Sequence, residues 1–177
     1  MKPVYLIGYM GCGKTTLGEV LARQMGMHYI DLDEVIEARQ GMSINSIFEE
    51  LGETRFRELE IQALQDTATM TDVIIGTGGG TPCHGDNMAL MKQAGITVWL
   101  TTSPERITAR LLVPEQKCKR PKVCHLPDED VLPLVKAELQ ARTPFYSQAQ
   151  MRFDSTDIET AEATERTACR LAALLQE

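Results

Sequence analysis

"GYMGCGKT", Gly8 to Thr15, closes the short apolar run "PVYLIG" and opens "TTLGEVLARQM", whose Leu17, Val20, Leu21 and Met25 share one helical face until Gly26 stops it. Gly8-x-x-x-x-Gly13-Lys14-Thr15 is thus a phosphate-loop pattern in the setting it requires, strand before and helix after. Glycines let successive backbone N–H groups point inward around phosphate oxygens, and the helix N-terminus adds partial positive charge. Lys14 then reaches the outer phosphates, and the Thr15 hydroxyl is placed to ligate magnesium. A dinucleotide fingerprint fails here, because Thr16 stands where the third glycine of GxGxxG belongs. The chain also lacks an Asn-Lys-x-Asp guanine motif, so ATP is the expected nucleotide.

Strands and helices alternate outward from this loop. Val4 to Ile7 reads as a buried strand, and "HYIDLD" as a second, Tyr29 to Leu32, which delivers Asp31 and Asp33 at its end. "SINSIFEELG" predicts a helix capped by Ser43 and stopped by Gly52, and "ETRFRELEIQALQDTA" another. "DVIIGTGGG" is a third strand, Val73 to Gly76, running into a second glycine-rich turn. "ITVWL" is the fourth, followed by a helix with Ser103 as cap and Pro104 at its first position. "MRF" is a short fifth strand, and a helix carrying Ala168, Leu171, Ala172 and Leu175 ends the pattern. This alternation implies an α/β fold, a parallel sheet covered on both faces, with ligands gathered at the carboxyl ends of its strands. Both glycine turns and both aspartates fall on that edge.

The 177 residues suit one domain, and 43% hydrophobic with 24% charged residues suffices for a normal core. A formal net charge of -7 argues against nucleic acid as a partner, since phosphate neutralisation needs a broad basic surface. No window approaches the roughly 20 apolar residues of a membrane span, and the start does not resemble a signal peptide, so a cytoplasmic protein without membrane contact is expected. The five cysteines are an odd count without framework spacing and read as reduced thiols. Cys118, Cys124 and His125 lack the paired spacing of a structural zinc site.

Several residues near the expected ligand edge have two readings each. Asp31 and Asp33 suit a magnesium site or a base for a hydroxyl proton, and equally the capping of a turn. Arg57 in "FRELE" has Glu53 at i-4 and Glu60 at i+3, the pattern of a solvated helix face. "TGGG", Gly78 to Gly80, permits close backbone approach to a ligand or forms a plain loop. "KCKRPK", with Lys117, Lys119, Arg120 and Lys122 between Pro114 and Pro127, is a solvated loop or a lid that brings an arginine to transferring phosphate. Arg142 stands in "QARTPFY", where Thr143 and Pro144 are expected to end a helix; two arginines converging on one pocket would suit a carboxylate.

Taken in order, "GYMGCGKTT", "DLDEVIE", "FRELE", "TGGG", "KRP" and "ARTPFY" closely resemble the shikimate kinases, from residue 4 to about residue 153. The resemblance implies a P-loop NTPase fold like that of the nucleoside monophosphate kinases, with a five-stranded parallel sheet in the order 2-3-1-4-5. It implies a single, monomeric kinase domain over 1-177, with substrate-binding helices at about 33-65 and a mobile lid at about 112-127. The implied reaction transfers the γ-phosphoryl of MgATP to the 3-hydroxyl of shikimate, on the route to chorismate and the aromatic amino acids. Carried over by position, Gly11, Cys12, Gly13, Lys14, Thr15 and Thr16 would cradle the phosphates, with Lys14 stabilising the transferring group. Thr15, and Asp31 through water, would hold magnesium. Asp33 would bind the acceptor hydroxyls and act as base, Arg57 and Arg142 would grip the carboxylate, and Gly79 and Gly80 would offer N–H groups. Arg120 would be the lid arginine, Arg110 would lie against the adenine, and Glu60 would hold Arg57 in place.

The chain departs from the family pattern in three places. The segment from Arg110 to Arg120 is a few residues longer, "PKVC" stands where Pro-Leu-Leu is usual, and Thr81 and Pro82 follow the triple glycine. Two rivals share the loop: a gluconate kinase-like enzyme, which would not be expected to combine Asp33, Arg57 and the triple glycine, and a non-catalytic nucleotide-binding regulator. The regulator's signature would be loss of Lys14, Asp33 or Arg57, and all three are present.

Overall fold

The computed structural model describes residues 1–176. Its first unit is β1 (Val4–Ile7), the phosphate loop and α1 (Lys14–Met25), followed by β2 (His28–Asp31), α2 (Leu32–Gln40) and α3 (Ile44–Thr67). β3 (Val73–Gly76) leads through a 3-10 turn, Thr81–Cys83, to α4 (Asn87–Ala94), β4 (Ile96–Thr101) and α5 (Pro104–Leu111). Two short helices, α6 (Pro114–Cys118) and α7 (Pro121–Cys124), precede the long α8 (Asp128–Tyr146), and β5 (Met151–Asp154) and α9 (Ala161–Leu175) complete the fold.

The sheet is five-stranded and parallel throughout, in the order β2-β3-β1-β4-β5. β1 lies at its centre, with Val4 opposite both Ile74 and Ile96, and all four of its residues are fully buried. Because side chains alternate across a strand, β1 feeds two cores. Tyr5 and Ile7 join Leu32, Ile36, Leu59 and Leu64 on one face. Val4 and Leu6 join Leu17 and Leu21 of α1 and Ala168 and Leu171 of α9 on the other. This two-sided burial explains why the strand reads as an unbroken apolar run.

Ser43, Ser103 and Thr160 cap their helices by accepting from the N–H groups of Ser46, Arg106 and Ala163. Gly52 ends the first of the two predicted helices, as expected, and the second starts at once. The glycine takes φ 81 and ψ 167 inside α3 and bends it, so that the two predicted helices abut at a kink. β2 stops one residue before the predicted end, because Leu32 is buried as the first residue of α2 while Asp31 caps that helix. The basic stretch from Pro114 is two one-turn helices instead of a loop, each with proline at its first position. α8 likewise runs past Thr143 and Pro144 to Tyr146. Pro144 lacks only one N–H there, and the last turn is closed by the Ser147 N–H donating to the Thr143 carbonyl at 2.9 Å.

Candidate active site

The phosphate loop curls at Gly8, Gly11 and Gly13, with φ of 143, 77 and 100. Gly13 is closed to other residues on a second count, since a Cβ there would fall 2.2 Å from Ile158 Cδ1. The Lys14 ammonium donates to the Gly8 and Tyr9 carbonyls at 2.8 and 3.0 Å. The Cys12 carbonyl accepts from Ser155 Oγ at 2.7 Å, tying the loop to the segment after β5. A cavity of about 760 Å³ opens over the loop, lined by Gly11, Gly13, Lys14, Thr15 and Thr16 together with Asp31, Asp33, Arg110 and Arg120. The Cys12 side chain is buried at 1% exposure and does not line it, so only backbone from that residue can face a phosphate.

Two arginines reach this cavity differently. Arg110 staples loop to strand end: its guanidinium donates to the Gly11 carbonyl at 2.9 Å, to the Thr156 carbonyl at 3.0 Å and to Glu159 at 3.0 Å. Arg120 donates to Gln116 Oε1 at 2.8 Å and to the Gln116 carbonyl at 3.1 Å. Among the described residues it forms no ion pair, and burial lowers its pKa from the ordinary arginine value. A cation held near a phosphate cavity without a carboxylate partner is suited to receiving an anionic ligand.

Across the strand ends, α2 begins with Asp31 as cap, its Oδ1 accepting from the Asp33 N–H at 3.0 Å. Of the two sequence readings the fold bears out the cap, and it also sets Asp31 3.5 Å from the Thr15 hydroxyl. Asp33 Oδ1 is buried without a hydrogen-bond partner. Burial, then the charges of Asp31 and Glu60, push the Asp33 carboxyl up to about 7, against an opposing pull from Lys14. Thr15, Asp31 and Asp33 supply hard oxygen atoms of the kind magnesium prefers. Among the described residues no group of three or more His, Cys, Asp or Glu could hold a metal ion alone, so phosphate oxygens and water would complete its shell.

The triple glycine draws the remaining predicted residues together. A Cβ on Gly78 would stand 3.2 Å from Asp33 Oδ1, one on Gly79 3.2 Å from Arg142 Nη1, and one on Gly80 3.1 Å from Arg57 Nη2. Arg57 donates to Glu60 at 2.9 Å and pairs with Glu53 at 3.3 Å, while its Nε is buried without a partner. Glu60 is fully buried and also accepts from the Thr81 hydroxyl at 2.5 Å. The helix-face pattern around Arg57 thus hides a buried carboxylate that fixes the guanidinium from beneath. Asp33 and Gly79 line the large cavity; Arg57, Gly80 and Arg142 do not, but meet the same glycine turn.

Four contributors went unread in the sequence. Tyr146 donates to the Gly79 carbonyl at 2.6 Å, Thr81 holds Glu60, Gln116 holds Arg120, and Glu138 lies 3.3 Å from Arg142. The Tyr146 and Thr81 contacts span 67 and 21 residues, beyond any helical or strand period.

A parallel sheet with a phosphate loop at its central strand, a basic pair of short helices beside it and a carboxylate facing the same cavity defines a P-loop kinase that acts on a small acceptor. A family model described as shikimate kinase matches residues 10–172. A shikimate kinase from Phocaeicola vulgatus is 44% identical over 159 residues, covering 90% of each chain. The crystal structure of shikimate kinase from Bacteroides thetaiotaomicron superposes with a TM-score of 0.94 at 39% identity, over 99% of both chains. That of shikimate kinase from Acinetobacter baumannii in complex with shikimate gives 0.83 at 32% identity, over 99% of this chain and 93% of the other. The chain belongs to the shikimate kinase family.

Proposed function

We propose that the protein transfers the γ-phosphoryl group of ATP to the 3-hydroxyl of shikimate, giving shikimate 3-phosphate and ADP. The observation that carries the reading is the triple glycine, which brings the unpartnered carboxylate of Asp33 and the guanidinium groups of Arg57 and Arg142 to one turn beside the phosphate loop. Two arginines suit a carboxylate, and a poised carboxyl suits an adjacent hydroxyl. The phosphate loop alone would serve a gluconate kinase-like enzyme or a regulator equally well; the paired arginines suit an acceptor that bears a carboxylate, and the shikimate kinase family match over residues 10–172 favours shikimate among such acceptors.

In this reading Arg57 and Arg142 orient the acceptor by its carboxylate, and the Gly79 and Gly80 N–H groups steady its hydroxyls. Asp33, with a pKa of about 7, takes the 3-hydroxyl proton at neutral pH. The acceptor oxygen bonds to the γ-phosphorus as the bond to the bridging oxygen breaks, and ADP carries away that electron pair. Lys14 exchanges its loop carbonyls for phosphate oxygens, and Arg120 neutralises charge developing on the transferring group. Magnesium, held through Thr15 and through water on Asp31, would neutralise phosphate charge. Residues 33-65 form the acceptor-binding helices and 112-127 the lid of a single kinase domain. We further infer a cytoplasmic monomer that takes neither nucleic acid nor a membrane as partner; its five free cysteines suit a reducing compartment.

The test is ADP release from MgATP with shikimate, gluconate, AMP or no acceptor run side by side. Release that depends on shikimate is expected. A rate with shikimate equal to the blank, while ATP still binds, overturns the acceptor assignment and leaves a nucleotide site.

A further inference from the structure

One charged cluster joins the lid segment to the acceptor pocket. Glu138 of α8 keeps 19% side-chain exposure and takes three partners. Its Oε1 accepts from Lys122 Nζ of α7 at 2.6 Å and lies 3.3 Å from Arg142 Nη2, one turn farther along α8. Its Oε2 accepts from the Tyr9 hydroxyl at 2.6 Å. Burial alone would raise the Glu138 carboxyl, but the hydrogen bonds from Lys122 and Tyr9 and the charge of Arg142 hold it below its usual value, so it stays an anion. Arg142 also lies over the Tyr9 ring, 5.2 Å from its centroid. Among the described residues, Glu138 is the one carboxylate that pairs with either cation.

The charge count gives this arrangement a direction. Two cations share one anion, so the cluster keeps one uncompensated positive charge beside the glycine turn. Without Lys122, Arg142 and Glu138 form a neutral pair at i,i+4, and Arg142 has less to offer an arriving carboxylate. We propose that Lys122 is a positioning residue: from the lid it engages Glu138 and so loosens the hold of Glu138 on Arg142, which can then turn more of its charge to the acceptor's carboxylate, whereas withdrawal of the lid leaves Glu138 paired with Arg142 alone. Linkage makes the effect reciprocal, so a bound acceptor favours the lid position that covers the nucleotide. The inference rests on the reading of the acceptor as a carboxylate-bearing molecule.

The experiment compares the parent with K122M, K122R, E138Q and K122M/E138Q, using shikimate affinity by calorimetry with and without MgADP, and steady-state kcat and KM. Lys122 is 59% exposed, so its variants are expected to fold, which thermal melting checks. K122M should weaken shikimate binding about five- to tenfold and shrink the mutual strengthening of shikimate and MgADP, while K122R keeps both. In the E138Q background, K122M should change shikimate affinity less than about twofold, because its effect passes through Glu138. An equal loss in both backgrounds, or no loss in the parent background, overturns the inference. If E138Q does not fold, the K122M and K122R pair decides: equal affinities overturn it. A parent that neither binds nor phosphorylates shikimate overturns the acceptor reading and this inference together; a parent that turns shikimate over while K122M matches it overturns the inference alone.

Discussion

At the second position of a helix, a carboxylate is ordinarily a surface group that complements the helix dipole. Asp33 differs because it is largely buried, because Asp31 and Glu60 press like charge on it, and because one of its oxygens has no donor. In the proposed mechanism Asp33→Asn removes the base, and it should lower kcat by about 10²- to 10⁴-fold, with ATP affinity by titration nearly unchanged. The same residue sets a pH signature on stability. Its folded-state pKa of about 7 exceeds the unfolded value of 3.8, so the folded state holds this proton more tightly. That advantage is fully present below about pH 4 and is lost as pH rises through about 7. Without magnesium or nucleotide, Asp33→Asn should therefore melt higher than the parent at about pH 8, by about 2–4 °C for each kcal/mol recovered, and the gap should close below about pH 4. Arg57 works through a pair instead. Arg57→Ala should raise the KM for shikimate about a hundredfold with little change for ATP, and should lower stability by about 3 kcal/mol because Glu60 is left buried and uncompensated. Equal changes in both KM values would count against its role at the acceptor.

Among the elements, the turn after β3 matters most to the site. β3 is pinned between β1 and β2, and Tyr146 of α8 holds the Gly79 carbonyl, so the backbone of the triple glycine has little room to move. Gly80 has φ -90, which any residue can adopt, so its smallness serves space and not conformation. A Cβ there would meet the Arg57 guanidinium at 3.1 and 3.3 Å. Gly80→Ala should push that head aside by tenths of an ångström, raising the KM for shikimate about 3- to 10-fold, a fraction of the hundredfold that a 1 Å misplacement can produce. Melting should change by less than about 0.5 kcal/mol, since the displaced group is the end of a flexible side chain. A large loss of stability with an unchanged KM would show the glycine to be a packing requirement alone.

The whole molecule ties two apolar layers to one edge of a sheet, and the loops of that edge are held mainly by polar contacts. The nucleotide loop is fastened by Lys14, Ser155 and Arg110, all through hydrogen bonds to its carbonyls. In the reading above, phosphate replaces the Lys14 contacts with stronger charge-assisted ones, so nucleotide should stabilise the entire fold by mass action. MgATP at one hundred times its dissociation constant should add about 2.7 kcal/mol, which thermal melting would register as a rise of about 5–11 °C. Lys14→Ala should abolish most of that rise. No helix among the described residues is long and apolar enough to cross a membrane.

The sequence by itself determined the strand order's raw material: a fully apolar β1, glycines with positive φ after it, and caps at Ser43 and Ser103, all of which depend on local sterics and on near neighbours. It also supplied the ordered motifs that mark the family. Tertiary structure decided which contacts each residue makes. Only the packed sheet sets Glu60 in a fully buried position under Arg57, carries α8 through Pro144 so that Tyr146 reaches Gly79, and makes Asp31 both a helix cap and a neighbour of Thr15. Glu138 carries no spacing signal toward Lys122 or Tyr9, which lie 16 and 129 residues away. Burial and charge proximity at the strand ends arise from contacts between distant segments, and no local pattern encodes them.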